Sequence, residues 1–169
     1  MKSLNDFVKE YTVQLRKGDI QKAYKGIMTF MSGLKSHLEK SCPDYIASAL
    51  YFGYMDMTYF AFTSPNLKNK NLKIAIVYLH EECRFEAWLG GINRKIQSEY
   101  INLMGKKNIG KYKLSQAVPG VDSIIETILV EKPDFDHPEV LKKQVERMTI
   151  EFINDITSIL DEPQSVDEK

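Results

Sequence analysis

The chain has 169 residues with 23 basic and 23 acidic side chains, so its formal net charge is zero. Apolar residues make up 43% and charged residues 27%, the balance of a globular chain long enough to bury a sizeable core. Zero net charge removes the global positive excess of many nucleic-acid-binding domains, and no stretch approaches the roughly 20 apolar residues of a membrane span.

Charge is unevenly placed along the chain. Residues 1–40 carry net +4, residues 71–111 net +3 and residues 112–169 net −7. One reading sets an acidic C-terminal helix beside the basic N-terminal part. The other leaves an anion-attracting face away from that helix. The two cysteines, Cys42 and Cys83, are too few for a disulfide framework, and residues 1–17 are amphipathic rather than signal-like. Both features lead to the expectation of a cytoplasmic protein with free thiols.

In chain order, residues 3–17 predict a helix with Ser3 as N-cap, Asp6 in its first turn and Gly18 as its stop. Leu4, Phe7, Val8, Tyr11 and Leu15 form its apolar stripe. A second helix follows from Asp19, with Ile20, Ala23, Tyr24, Ile27, Phe30, Met31, Leu34 and Leu38 at helical spacing and His37 on its solvated side. After Pro43 the composition turns aromatic and poor in charge, which predicts strands near 45–52 and 56–63 joined around Gly53. "SPNLKNKN" reads as a polar loop. Residues 72–79 and 83–89 read as a hairpin turning over His80 to Cys83. Gly90 and Gly91 end it, and "INRKIQSEYINLM" predicts a helix with Ile92, Ile96, Tyr100, Ile101 and Met104 inward. "KYKLSQAV" suits a short strand. Val121, Ile124, Ile125, Ile128 and Leu129 fit helical spacing, so "VDSIIETILV" is assigned to a helix. Asp136 and Glu139 form an Asp capping box over a last helix that ends near Leu160. The expected fold is α+β, an antiparallel meander of four to five strands with helices at both ends packed mainly on one face. It forms a single domain over residues 1–162, with a polar tail over 163–169.

The hairpin carries the densest chemistry. Symmetry about residues 81 and 82 pairs Leu79 with Arg84, Val77 with Glu86 and Ala75 with Trp88. One face then collects Ile74, Ile76, Tyr78, Phe85, Ala87 and Leu89, a core face. The other collects Ala75, Val77, Leu79, Arg84, Glu86 and Trp88: an apolar floor holding a cation, an anion and the only indole. Such a face fits a groove or an interface, or an internal Arg–Glu ion pair. Asn93, Arg94 and Gln97 open the next helix and add a polar side, which the Gly90–Gly91 break folds toward Arg84 and Glu86. Asp56, within "YMDMTY", is either a turn residue or a carboxylate in a pocket lined by Tyr51, Tyr54 and Tyr59.

Several chemistries find no support. His80 and Cys83 are three apart, as metal ligands can be, but no second ligand pair accompanies them, so no metal is expected. Strand alternation places Cys83 with the core-facing set as an inert thiol. No nucleophile elbow, Walker loop or dinucleotide fingerprint occurs, and no cofactor is expected. Lys68, Lys70, Lys73, Lys106, Lys107, Lys111 and Lys113 offer phosphate contacts only if gathered on one side, which argues against nucleic acid as a partner.

"GDIQKAYKGIM", "GYMDMTYFAF", "LKIAIVYLHEECRFEAWLGGINRKIQSEY", "GVDSIIETILVEKPDFD" and the final helix together resemble a family of small bacterial proteins of unknown function, over residues 3–160. That resemblance implies no activity, cofactor or catalytic residue. The element order also resembles, more faintly, the restriction-endonuclease-like core. That core holds Mg²⁺ with an acid on one strand and an acid-x-Lys on the next. Asp56 stands where the first acid would, but Glu86 is followed by Ala87 and Trp88 rather than a lysine. The resemblance therefore implies at most a degenerate nuclease.

Two function classes follow. One is a non-enzymatic binding or interaction domain using the Arg84, Glu86 and Trp88 face, with Tyr54, Asp56, Tyr59, Asn93, Arg94 and Gln97 as further contacts. Its partner is a ligand, another protein or a second copy in a homodimer. The alternative is an enzyme or nuclease-like protein with Asp56 and Glu86 as its acids.

Overall fold

A computed structural model of the protein describes residues 1–163. Residues 164–169 of the expected polar tail lie outside the described residues. The fold is α+β. Helices α1 (Leu4–Lys17) and α2 (Asp19–Ser41) lead into strands β1 (Ile46–Ala47) and β2 (Met57–Thr63). A short helix α3 (Pro65–Asn69) precedes β3 (Leu72–Leu79) and β4 (Arg84–Gly91). Helix α4 (Arg94–Met104), β5 (Ser123–Val130) and α5 (Pro138–Asp161) complete the described elements. The five strands form one antiparallel sheet in sequential order.

Local chemistry sets the helix ends. Ser3 and Asp6 form a capping box at the start of α1, and Gly18 ends it in the left-handed region. α2 buries Phe30, Met31, Leu34 and Leu38, four positions of the expected stripe. α5 buries Leu141, Val145, Thr149, Phe152, Ile153 and Ile156. These two stripes meet the inward face of the sheet, where Phe60, Phe62, Ile74, Ile76, Phe85, Ala87 and Leu89 are fully buried. Phe135, from the segment before α5, packs its ring edge on Phe30 and Tyr78.

The hairpin of β3 and β4 has the symmetric register, from Leu79↔Arg84 through Val77↔Glu86 and Ala75↔Trp88 to Leu72↔Gly91. Elsewhere the structure corrects several sequence expectations. "VDSIIETILV" is strand β5, not a helix. Register shifts against β4 at Phe85/Glu86 and Leu89/Gly90 interrupt the alternation, so neighbours Ile124 and Ile125 are both buried, as are Leu129 and Val130. Bulges of this kind turn a period of two into apparent three-and-four spacing. "SPNLKN" is helical: Ser64 caps it, accepting from the Leu67 N–H, with Pro65 in the first turn. "KYKLSQAV" pairs only through the single bridge Leu114↔Ile125. The strand expected at 45–52 shrinks to Ile46–Ala47 and a bridge at Tyr51↔Tyr59. Between them the Ser48 Oγ, not a backbone carbonyl, accepts from the Ala61 N–H at 2.8 Å.

Two side chains differ as well. The Asp136–Glu139 box is absent, and His137 occupies the N-cap of α5 without a side-chain cap bond. Asp134 takes the local donors instead, at 3.0 Å from the Asp136 N–H and 2.7 Å from the His137 ring. His37 is not simply solvated, because its Nε2 lies 2.7 Å from the Glu146 carboxylate and ties α2 to α5. Other acids of α5 pair elsewhere: Asp161 with Lys70, and Glu151 and Asp155 with Lys111.

The His37–Glu146 contact makes stability depend on acid. Burial raises the Glu146 pKa, but hydrogen bonds from Ser41 and His37 outweigh it and hold the group below its ordinary 4.5. A depressed carboxylate contributes stability fully above the unfolded value and loses it as pH falls through the folded one. The urea midpoint is therefore expected to fall as pH drops below 4.5. Glu146→Gln is expected to flatten that part of a midpoint-against-pH curve, and an unchanged slope would show that other carboxylates carry it.

Candidate functional site

Strand alternation builds the second face of the sheet in rows. Ala61, Ala75, Trp88 and Glu126 form one row across β2 to β5. Tyr59, Val77, Glu86 and Ile128 form the next, and Met57, Leu79 and Arg84 the third. Most of these side chains are half-buried, while Val77 and Glu86 are buried.

Arg84, Glu86 and Trp88 stand at alternate positions of β4 and bond to one another along it. Arg84 Nε donates to Glu86 Oε1 at 2.7 Å, and its Nη2 lies 2.6 Å from the same oxygen. Trp88 Nε1 donates to Glu86 Oε2 at 2.6 Å. Each carboxylate oxygen therefore has a donor, which is the condition for leaving an acid only 4% exposed. The bond from Glu86 raises the Arg84 pKa, with Glu131 assisting at 3.8 Å. The indole plane is held by its own N–H, and its ring faces a hollow beside it.

That hollow has a volume of about 470 Å³. Its floor is Met57, Tyr59, Ala61, Ala75, Val77 and Trp88, and its rim includes Lys73, Glu126 and the segment Gly120–Ser123. Asn93, Arg94 and Gln97 close its polar end. Asn93 is the N-cap of α4, its side chain accepting from the Ile96 N–H at 2.9 Å. Gln97 is buried and donates through Nε2 to the carbonyls of Val121, at 2.8 Å, and Ser123, at 2.9 Å. Arg94 bonds Gln97 Oε1 and the Val121 carbonyl and pairs with Asp122. Together these bonds fasten the loop before β5 to the start of α4. Gly91 is the steric condition, because a Cβ there would lie 2.7 Å from the Gln97 backbone N.

The sequence-predicted residues thus divide. Tyr59, Trp88, Asn93, Arg94 and Gln97 line the hollow, while Arg84 and Glu86 lie behind Trp88 toward the hairpin turn. Tyr54 is 92% exposed in the loop before β2. Asp56 serves that turn: its Oδ1 accepts from the Tyr54 N–H at 2.9 Å, and backbone N–H groups hold its carboxyl below the usual range. His80 stacks on Tyr24 and lies 2.9 Å from Thr58 Oγ1. Burial lowers its pKa, opposed by Asp56. Cys83 is exposed rather than core-facing. The strands stop at Leu79 and Arg84, so alternation no longer applies at Cys83, which sits at φ 51°. Ile92, expected inward, is 58% exposed and lines the hollow.

Sequence reasoning missed Met57, Ala61 and the 120–123 segment. The first two follow once β2 is paired with β3, whereas the segment has no periodic signal. Among the described residues, no group of three or more His, Cys, Asp or Glu gathers as a metal site would need. Of the lysines considered for phosphate, Lys70 pairs with Asp161, Lys107 bonds the Glu162 carbonyl, and Lys111 pairs with Glu151 and Asp155. No described helix is long and apolar enough to cross a membrane.

A family model described as a domain of unknown function, DUF7000, matches residues 4–160. Neither a curated protein nor a solved structure matches the chain.

Removing the central carboxylate tests the bonded chain. Glu86→Ala leaves the Arg84 cation and the Trp88 N–H without their acceptor, so a loss of about 2–3 kcal/mol is expected in urea unfolding, less than for a fully buried pair because Arg84 keeps some water. Glu86→Gln keeps an acceptor for the indole and should lose less. Equal losses in both variants would place the effect in the charge alone.

Proposed function

Because the chain belongs to the DUF7000 family, a domain of unknown function whose description brings no activity, we propose from the geometry that it is a binding domain. It holds a small, largely apolar ligand in the hollow on the open face of its sheet. The observation that carries this reading is the pre-set indole. Trp88 is anchored through its N–H to Glu86, so its ring is offered to the hollow without further ordering. The volume falls in the range of small-molecule sites, and the composition fits them: an apolar, aromatic floor with a few polar groups at one end. Lys73 on the rim supplies a cation for the polar end of such a ligand.

Catalysis has less support. Both oxygens of Glu86 have donors, and Asp56 is engaged by its own turn, so neither acid is poised as a base or metal ligand. Both cysteines are free thiols, in keeping with a reducing, cytoplasmic setting.

Trp88 is the only tryptophan, which makes the test direct. A panel of aromatic and aliphatic carboxylates and a hydrophobic dye is titrated against intrinsic fluorescence. A saturable change is expected with at least one class. It should weaken at least tenfold in Ala75→Leu, which fills the floor with apolar volume. Binding that ignores Ala75→Leu would move the site elsewhere, and no response from any class would remove the small-ligand reading.

A further inference from the structure

Four charged side chains line the hollow: Lys73, Arg94, Asp122 and Glu126. Arg94 and Asp122 pair with each other at 3.0 Å. Lys73 and Glu126 have no ionic partner among the described residues and do not pair with one another. Both are exposed, as such side chains usually are. Their neighbours nevertheless aim them at one place. Lys73, Gly90 and Ser123 share a row across β3, β4 and β5. A Cβ on Gly90 would lie 3.7 Å from Lys73 Cε and 3.9 Å from its Cγ, so the lysine stem leans over the one position of that row without a side chain. Glu126 stands in the next row, opposite Trp88. It leans back toward the same row, because its Oε1 accepts from Ser123 Oγ at 2.7 Å. Ser123 Oγ lies 2.8 Å from Ser115 Oγ. Ser123 has one hydroxyl proton and gives it to Glu126, so Ser115 is the donor of the second bond. Ser123 is 2% exposed. This relay fixes one oxygen of Glu126 and leaves Oε2 without a donor among the described residues.

We propose that the ligand of the hollow is a zwitterion of the apolar amino-acid type, its carboxylate on Lys73, its ammonium on Glu126 and its side chain on the apolar floor. The proposal rests on the binding reading above and names the ligand class of that site. Two opposite charges that face one hollow without joining each other select it. A ligand with a carboxylate alone is drawn to Lys73 but repelled by Glu126, and an amine alone meets the reverse. Only a ligand carrying both charges meets each with its opposite. The register sets the scale. Lys73 and Glu126 stand two strands and two residues apart, about 12 Å between their backbones, and each leans toward the Gly90–Ser123 row. The gap between the charges therefore lies over Gly90 and suits a head group whose acid and amine share one carbon. One row further on, Ala75 and Trp88 receive the apolar side chain. The anchored indole stands beside the ammonium, to which the face of a tryptophan ring is itself attractive.

Titration calorimetry of the full chain compares probes that share a side chain and differ in charge. Phenylalanine is set against 3-phenylpropanoate, which lacks the amine, and 2-phenylethylamine, which lacks the acid. Leucine, 4-methylpentanoate and 3-methylbutylamine form the aliphatic set. In at least one set the amino acid is expected to bind about tenfold more tightly than either single-charge probe, as hydrogen bonds to charged groups allow. Lys73→Met should reduce its affinity to that of the amine. Glu126→Gln, which keeps an acceptor for Ser123, should reduce it to that of the acid. Both changes are at exposed positions, so neither endangers the fold. An amino acid that binds no better than its single-charge probes in both sets, or not at all, would overturn the zwitterion. So would an advantage that survives both variants. If single-charge probes or the hydrophobic dye still bind and Ala75→Leu weakens them, the hollow remains a binding site and only its ligand class falls. If no probe and no dye binds, both readings fall together.

Discussion

The pairing of β3 with β4 decides which side of this protein is core and which is surface. With Val77 opposite Glu86, Ile74, Ile76, Phe85 and Leu89 fall on the face that α2 and α5 cover. Ala75, Val77 and Trp88 fall on the other. A slip of one residue would exchange the two sets, pressing Arg84 and Glu86 into an apolar core and exposing two phenylalanine- and isoleucine-rich rows. The apolar side chains on one face and the ionic chain on the other both oppose that slip. The neighbouring strands inherit the choice, β2 aligning on β3 residue by residue and β5 on β4 between its two register shifts.

On the open face, polar groups are satisfied internally and most of the apolar ones are only half-buried. Glu86 is enclosed by Arg84 and Trp88, and Gln97 and Arg94 bind the loop carbonyls that would otherwise approach the hollow unpaired. Buried polar networks are stabilising only when every member has a partner. Here their completion has a second effect, because it fixes the walls of the hollow. The bulges of β4 against β5 belong to the same construction. They turn Ser123 and Glu126 to the hollow, where Ser123 Oγ donates to Glu126 at 2.7 Å, while keeping Ile124 and Ile125 inside.

The helices divide in the same way between covered and uncovered stripes. α2 and α5 bury their apolar sides against the sheet and are tied together by His37 and Glu146. α1 has a stripe of the same quality and leaves it in water. Amphipathic spacing shows that a helix has a side to bury, whereas the identity of the cover depends on where the chain turns, and the single residue Gly18 turns α1 away from the sheet.

Much of this was legible in the residues because it depends on near neighbours. The caps at Ser3 and Gly18, the stripes of α2 and α5, and the hairpin register all follow from periodicity and from residues no more than a few positions apart. So does the sharing of one face by Arg84, Glu86 and Trp88, since alternation in a strand is local geometry. What pairing alone decided was β5, whose bulges give "SIIETILV" a helix-like spacing, and the place of Cys83, where a left-handed turn residue ends the alternation. Likewise the hollow needed Met57 and Ala61 from β2, Trp88 from β4 and Gly120–Ser123 from a loop without periodicity. Those groups are distant in the chain and are brought together only when five strands stack in register, a long-range event that no local pattern encodes.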